Sequence, residues 1–145
     1  DGGDRGFVFY TNLESGKAAE IALNSQVALT FYWSAIGIQV RIEGVARPVV
    51  REKVEQYWNS RPLESRVSGT ISKQSQPLVS YEALQNKFKV AQSELGVNPP
   101  CPEYWGGFCV VPKYFEFWEQ DSARLHKRAT FNLTDSEWKK GFLQP

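Results

Sequence analysis

Arg124, His126 and Arg128 have the most chemically suggestive spacing in the chain, because the single histidine stands between two arginines, each two residues away. In an extended segment all three side chains share one face. Two guanidiniums beside an imidazole make an anion site, and their charge favours the neutral form of the histidine. Trp118 adds a flat aromatic wall just upstream. The competing reading is a solvated basic edge strand, a common device against edge-to-edge pairing.

Three further groups of donors precede this segment. Tyr57, Arg61 and Ser65 recur at intervals of four and offer a phenol, a guanidinium and a hydroxyl to a phosphate, although Pro62 interrupts a simple helical face. Ser72-Lys73-Gln74-Ser75 concentrates hydroxyl, ammonium and amide groups suited to an anion or a carbonyl-rich ring. Tyr10, Thr11 and Asn12, followed by Ser15 and Lys17, put donors at a strand end and a helix N-terminus, where backbone N–H groups favour phosphate. Each group taken alone also reads as ordinary surface, turn or capping residues. No serine or cysteine is paired with a base in a recognisable motif, and one histidine cannot supply a metal cluster, so hydrolysis and metal chemistry are disfavoured. The inventory suits recognition of two phosphorylated, ring-bearing molecules, a cofactor and a substrate.

The elements that must position these groups follow from periodicity. Gly6 to Asn12 reads as a strand and Ser15 to Asn24 as a short helix capped by Ser15. Val27 to Trp33 and Ile38 to Val45 are β-branched and aromatic runs joined by a Ser-Ala-Ile-Gly turn, a hairpin signal. In the second run Ile38, Val40 and Ile42 face one way, while Gln39, Arg41 and Glu43 form a polar face open to a ligand or a subunit. Val50 to Ser60 is helical, with Val50, Val54, Tyr57 and Trp58 as an apolar stripe, and Pro62 starts a second helix. Ser80 to Leu95 is a third, ended by Gly96 and a proline-rich loop. Gly107 to Val111, Tyr114 to Trp118, Arg124 to Asn132 and a piece near Trp138 read as strands. Strands at both ends and peripheral helices predict one domain over residues 1–145, a mainly β, small antiparallel barrel with helices on its rim.

The 145 residues, 41% hydrophobic and 14% aromatic, provide enough apolar material for a core. A formal net charge of +1 leaves no broad field for nucleic acid or membrane, so anion recognition must be local. Two cysteines, Cys101 and Cys109, without a secretory signal or a long apolar run, predict a reducing, cytoplasmic setting and no zinc site. Asp1-Gly2-Gly3-Asp4 reads as a turn leading straight into a strand, which predicts that an earlier partner strand precedes Asp1.

Taken in order, Tyr10-Thr11-Asn12-Leu13, Gln39-Val40-Arg41-Ile42-Glu43-Gly44, Ser60-Arg61-Pro62 with Ser65, Ser72-Lys73-Gln74-Ser75, Trp105-Gly106-Gly107, Glu116-Phe117-Trp118 and Arg124-Leu125-His126 resemble the pyridoxine 5'-phosphate oxidase family at nearly its spacings over essentially the whole chain. The resemblance implies an FMN-binding split barrel, antiparallel and Greek-key-like, acting as a homodimer. It also implies oxidation of pyridoxine or pyridoxamine 5'-phosphate to pyridoxal 5'-phosphate, with hydride passed to FMN and electrons then passed to dioxygen. By the same resemblance Tyr10, Thr11, Lys17, Gln39, Gln74, Ser75, Trp118 and Arg128 hold FMN. Tyr57, Arg61 and Ser65 bind the substrate phosphate, and Arg124 and His126 lie over the pyridine ring as the catalytic pair.

The chain departs from the family pattern at several positions. Gly16 stands where an arginine precedes Lys17, Gln120 where glycine is usual, and Lys127 where an acidic residue is usual. Ser68-Gly69-Thr70 replaces a Gly-Ala-aromatic run, and Phe142-Leu143-Gln144-Pro145 replaces Arg-Leu-Ala-Pro. The family's earlier strands, with an arginine for the FMN phosphate and a lysine for the substrate phosphate, are expected before Asp1. These departures support a second expectation, a non-catalytic homologue that binds a phosphorylated B6 vitamer or flavin as a carrier or interaction protein. A third is a flavin split barrel with another substrate.

Overall fold

A computed structural model describes residues 6–145, and the turn expected over residues 1–4 lies outside them. The elements run β1 Phe7–Asn12, α1 Gly16–Leu23, β2 Gln26–Trp33, a 3-10 turn Ser34–Ile36, β3 Ile38–Pro48, α2 Arg51–Ser60, α3 Leu63–Ile71, α4 Tyr81–Glu94, β4 Trp105–Glu119, β5 Lys127–Thr134 and β6 Glu137–Phe142. The strands form one sheet in the order β2-β3-β4-β5-β6, with β1 paired to β4. No helix among the described residues is long and apolar enough to cross a membrane.

The chain divides into two compact units. One comprises residues 6–7, Asn24–Arg47 and Cys109–Pro145. Here β2 and β3 pair antiparallel from Gln26↔Val45 to Trp33↔Ile38, closed by Gly37 in the left-handed conformation at φ 62°. That conformation suits a residue without a Cβ. β5 and β6 are joined by Asp135 and Ser136, whose φ values of 53° and 67° give the two left-handed central residues that match the twist of a hairpin. Ile42, Ala46, Cys109 and Val110 are buried in its core. At Gly44 a Cβ would collide with the Val111 carbonyl, so the close approach of β3 and β4 depends on that glycine.

Two strand expectations are corrected here. Gly107 to Val111 and Tyr114 to Trp118 are parts of one continuous strand, β4. Pro112 lies within this strand, and the β5 register begins only at Tyr114, so its missing N–H costs no ladder bond to β5. The strand expected from Arg124 instead begins at Lys127. Asp121 holds the preceding residues in a turn: its carboxylate accepts from Ala123 N–H at 2.9 Å and Leu125 N–H at 3.2 Å, and its carbonyl from Arg124 N–H at 3.1 Å. Arg124 is left-handed there, at φ 62°, so Arg124, His126 and Arg128 do not form one face of an extended strand.

The other unit comprises Val8–Leu23 and Pro48–Phe108. Ser15, fully buried, caps α1 by accepting from Ala18 N–H at 3.4 Å, and Ser80 caps α4 by accepting from Ala83 N–H at 3.0 Å. Val67 and Ile71 of α3 pack on Ala91 of α4, with Leu63, Leu84, Phe88 and Leu95 around them. The expected α2 stripe is narrower than its pattern. Val54 and Trp58 are buried, whereas Val50 precedes the helix and is exposed, and Tyr57 is 41% exposed. Trp58 is held by its indole N–H, which donates to the Pro99 carbonyl at 2.9 Å.

Candidate functional site

In the unit that carries the helices, β1, α1 and the loop after α3 bring four expected flavin ligands together. Lys17 Nζ donates to Thr11 Oγ1 at 3.2 Å, and Thr11 Oγ1 donates to Gln74 Oε1 at 3.0 Å. Gly16 N–H, at the start of α1, donates to Ser75 Oγ at 3.2 Å. Ser75 adopts φ 71°, one of four left-handed non-glycine residues among those described. Two of the four form the β5–β6 turn, and the other two, Ser75 and Arg124, are candidate ligands, where backbone strain tends to gather. An ammonium, two hydroxyls, a carboxamide and a backbone N–H at one helix start fit a flavin phosphate and the polar edge of its ring.

Tyr10 stacks on Tyr57 with centroids 3.8 Å apart and planes within 7°, joining a residue of the flavin set to one of the substrate set. The stack is seated on Gly107, where a Cβ would come within 2.8 Å of the Tyr10 ring and 2.9 Å of the Phe9 carbonyl. Tyr57 lies in the last turn of α2, Arg61 in the extended link at φ −75° and ψ 148°, and Ser65 in the first turn of α3, so their four-residue interval spans two helices. The Arg61 guanidinium lies over Trp105 at 4.4 Å and Trp58 at 5.3 Å. It has no hydrogen bond or ion pair among the described residues, and its Nη1 is buried without an acceptor. Burial lowers its pKa, with Tyr57 opposing the shift and Arg66 adding to it. A partly buried cation without a counter-ion calls for an anion.

In the unit that carries most of the sheet, Trp118 packs on His126 with centroids 4.7 Å apart and stands opposite Arg128 in the β4–β5 register. His126 Nδ1 accepts from Asp121 N–H at 3.2 Å, which leaves Nε2 as the N–H of a neutral ring. Arg124 and His126 border an open cleft of about 490 Å³ with Trp118, Gln120, Asp121 and Ser122. Gln39 lies half-buried on β3, opposite Tyr32. Arg128 Nε donates to Glu116 Oε1 at 2.6 Å and Nη1 to the Gln144 carbonyl at 3.0 Å, while Tyr114 Oη donates to Glu116 Oε2 at 3.2 Å. The bond from Arg128 holds the buried Glu116 carboxyl below the usual carboxylate range, against the upward pull of burial.

Sequence reasoning gave Glu116 and Trp105 no place in the site and read Trp58 only as part of an apolar helix stripe. The visible signal was the Trp105-Gly106-Gly107 run, since glycines beside an aromatic mark a close backbone approach. Among the described residues no group of three or more His, Cys, Asp or Glu could hold a metal ion.

The fold and the donor set define a flavin split barrel of the pyridoxamine 5'-phosphate oxidase type. A pyridoxamine 5'-phosphate oxidase-related, FMN-binding protein from Nostoc punctiforme superposes over 100% of this chain and 76% of its own, with a TM-score of 0.77 at 15% identity, which shows the fold alone. Residues 3–93 match the pyridoxamine 5'-phosphate oxidase family model, and residues 105–145 match the pyridoxine 5'-phosphate oxidase C-terminal dimerisation region. The chain therefore belongs to the pyridoxamine 5'-phosphate oxidase family. It is 42% identical over 144 residues to a pyridoxine/pyridoxamine 5'-phosphate oxidase of Shewanella halifaxensis, covering 99% of this chain and 68% of that protein. It is 44% identical to one of Granulibacter bethesdensis, covering 98% and 67%. PhzG from Burkholderia lata, solved in complex with tetrahydrophenazine-1-carboxylic acid, superposes with a TM-score of 0.89 at 32% identity, over 97% of this chain and 69% of its own.

Proposed function

We propose that this chain is a pyridoxine/pyridoxamine 5'-phosphate oxidase that binds FMN as a homodimer and forms pyridoxal 5'-phosphate. The observation that carries the reading is Arg61, a guanidinium with no anionic partner among the described residues, beside a Tyr57 that stacks on Tyr10. Thr11, Lys17, Gln74 and Ser75, with Tyr10, Gln39, Trp118 and Arg128, would hold FMN. FMN, when bound, would supply the hydride acceptor, with dioxygen as the final electron acceptor. Arg61, Tyr57 and Ser65 bind the substrate phosphate through charge-assisted and hydroxyl hydrogen bonds. Arg124 and His126 orient the pyridine ring, with the histidine proton on Nε2 because Nδ1 is already an acceptor.

The likeness to PhzG favours a second reading, oxidation of a ring carboxylic acid, since a carboxylate can meet the same guanidinium. The experiment is reconstitution with FMN, a visible absorption spectrum, and oxygen-coupled turnover of pyridoxine 5'-phosphate beside tetrahydrophenazine-1-carboxylic acid. A flavin spectrum with turnover of the phosphate ester supports the oxidase. A flavin spectrum with turnover of the carboxylate alone supports the second reading. Vitamer binding without turnover points to a carrier. Arg124→Ala and His126→Ala should lower kcat with little change in Tm. Arg61→Ala should chiefly raise KM, by about 1.5–3 kcal/mol of lost binding.

A further inference from the structure

We propose that Trp105 and Trp58 are positioning residues for the anion site, clamping the Arg61 guanidinium so that its free edge is held ready for a phosphate. The inference rests on the phosphate-binding reading of Arg61 given above. Most buried arginines are oriented by acceptors, and this one has none among the described residues, so orientation must come from its faces. Trp105 lies 4.4 Å from the guanidinium carbon and Trp58 5.3 Å, while the two indoles meet edge to face at 5.2 Å. Aromatic faces attract a cation without occupying its N–H groups, which leaves those groups for a ligand.

The Trp58 ring and the Trp105 backbone are held independently of Arg61, while the Trp105 indole N–H is buried without an acceptor. The Trp58 indole donates to Pro99 O at 2.9 Å. Arg51 pins the loop that carries Trp105: Nη1 donates to the Pro102 and Trp105 carbonyls at 3.0 Å, and Nη2 to the Cys101 carbonyl at 2.7 Å. The third wall is Gly69 of α3, where an added Cβ would lie 3.0 Å from the Trp58 ring and 3.2 Å from Arg61 Nη1. Gly69 is one of the positions at which this chain departs from the family pattern of alanine. The absence of a side chain there leaves the space into which the Trp58 ring and the guanidinium fit.

The test is titration of the full chain with pyridoxal 5'-phosphate and, in parallel, with unphosphorylated pyridoxal, for Arg61→Ala, Trp105→Leu, Trp105→Phe and Gly69→Ala, with Tm recorded for each. Trp105→Leu should raise the Kd for the phosphate ester about tenfold, since it removes one cation–π face. Trp105→Phe should restore most of that affinity, and Gly69→Ala should weaken it. Affinity for pyridoxal should not change, and in turnover the effect should fall on KM rather than kcat. If Arg61→Ala weakens the ester while Trp105→Leu and Gly69→Ala do not, the clamp is overturned and the phosphate site stands. Equal losses for ester and pyridoxal would also overturn it, as general damage. If Arg61→Ala itself binds the ester like wild type, the phosphate-site reading fails and the clamp fails with it.

Discussion

Gly16 is the position at which the proposed flavin site can be tested most directly. It opens α1, its N–H reaches Ser75 Oγ at 3.2 Å, and a Cβ there would meet only Ser75 at 3.7–3.8 Å, an ordinary contact. A side chain can therefore be added without strain. Gly16→Arg should tighten FMN binding by about 1–2 kcal/mol, roughly tenfold, by placing a guanidinium at a helix start beside Lys17. The figure sits below a full charged hydrogen bond because Gly16 is exposed. Flavin fluorescence quenching would measure it, and an unchanged Kd would withdraw Thr11 and Lys17 from the flavin site. Gln120 and Lys127 are accommodated locally: Gln120 N–H donates to the Gly37 carbonyl at 2.8 Å, and Lys127 pairs with Glu119 at 3.1 Å on the surface.

Among the elements, β4 and its neighbours β3 and β5 carry the contacts most sensitive to change. Gly44→Ala would drive a methyl into the Val111 carbonyl of β4, and neither backbone can yield cheaply. It should cost about 1–3 kcal/mol, read as a lowered urea midpoint with an unchanged m-value. Between β4 and β5, Glu116 and Arg128 give the sheet an acid-sensitive link. The folded pKa of Glu116 is depressed, so its contribution is present above the ordinary carboxylate value and is lost as pH falls through that value to the lower folded one. Glu116→Gln should therefore flatten the fall of Tm below about pH 4.5, the ordinary value of the group, and lower Tm near neutrality. A wild-type acid limb in that variant would show that the pair does not couple to folding.

At the scale of the whole molecule, the unit that carries most of the sheet leaves large apolar side chains in water. Tyr32 is 56% exposed, Trp33 48%, Trp138 43% and Phe142 75%. A stable monomer rarely tolerates so many together, and residues 105–145 match a dimerisation region. Sedimentation at micromolar concentration should show a symmetric dimer, and Trp33→Glu with Trp138→Glu should shift it toward monomer while lowering flavin affinity. A wild-type monomer that still binds FMN tightly would separate the cofactor site from assembly. The chain spans about two thirds of the length of the relatives it matches.

Period and punctuation were enough to place most elements. Ser15 and Ser80 cap where their spacing predicts, Gly37 and Gly96 turn left-handed where an end was expected, and β2 and β3 pair as the aromatic and β-branched runs require. These are local preferences, written in a few adjacent residues. The donor types of the candidate site were legible for the same reason, because Thr11, Ser15 and Lys17 stand within a few residues of a helix start. Long-range partners decided the rest. Pro112 reads as a strand break until β4 is seen to run through it, and Arg124 reads as a strand residue until Asp121 gathers the turn around it. That Arg61 would lie against both Trp58 and Trp105, 44 residues apart from the latter, depends on the Arg51 bonds to the Trp105 loop and on the space at Gly69. Packing between segments distant in sequence has no periodic signature along the chain, and only the tertiary fold brings such partners together.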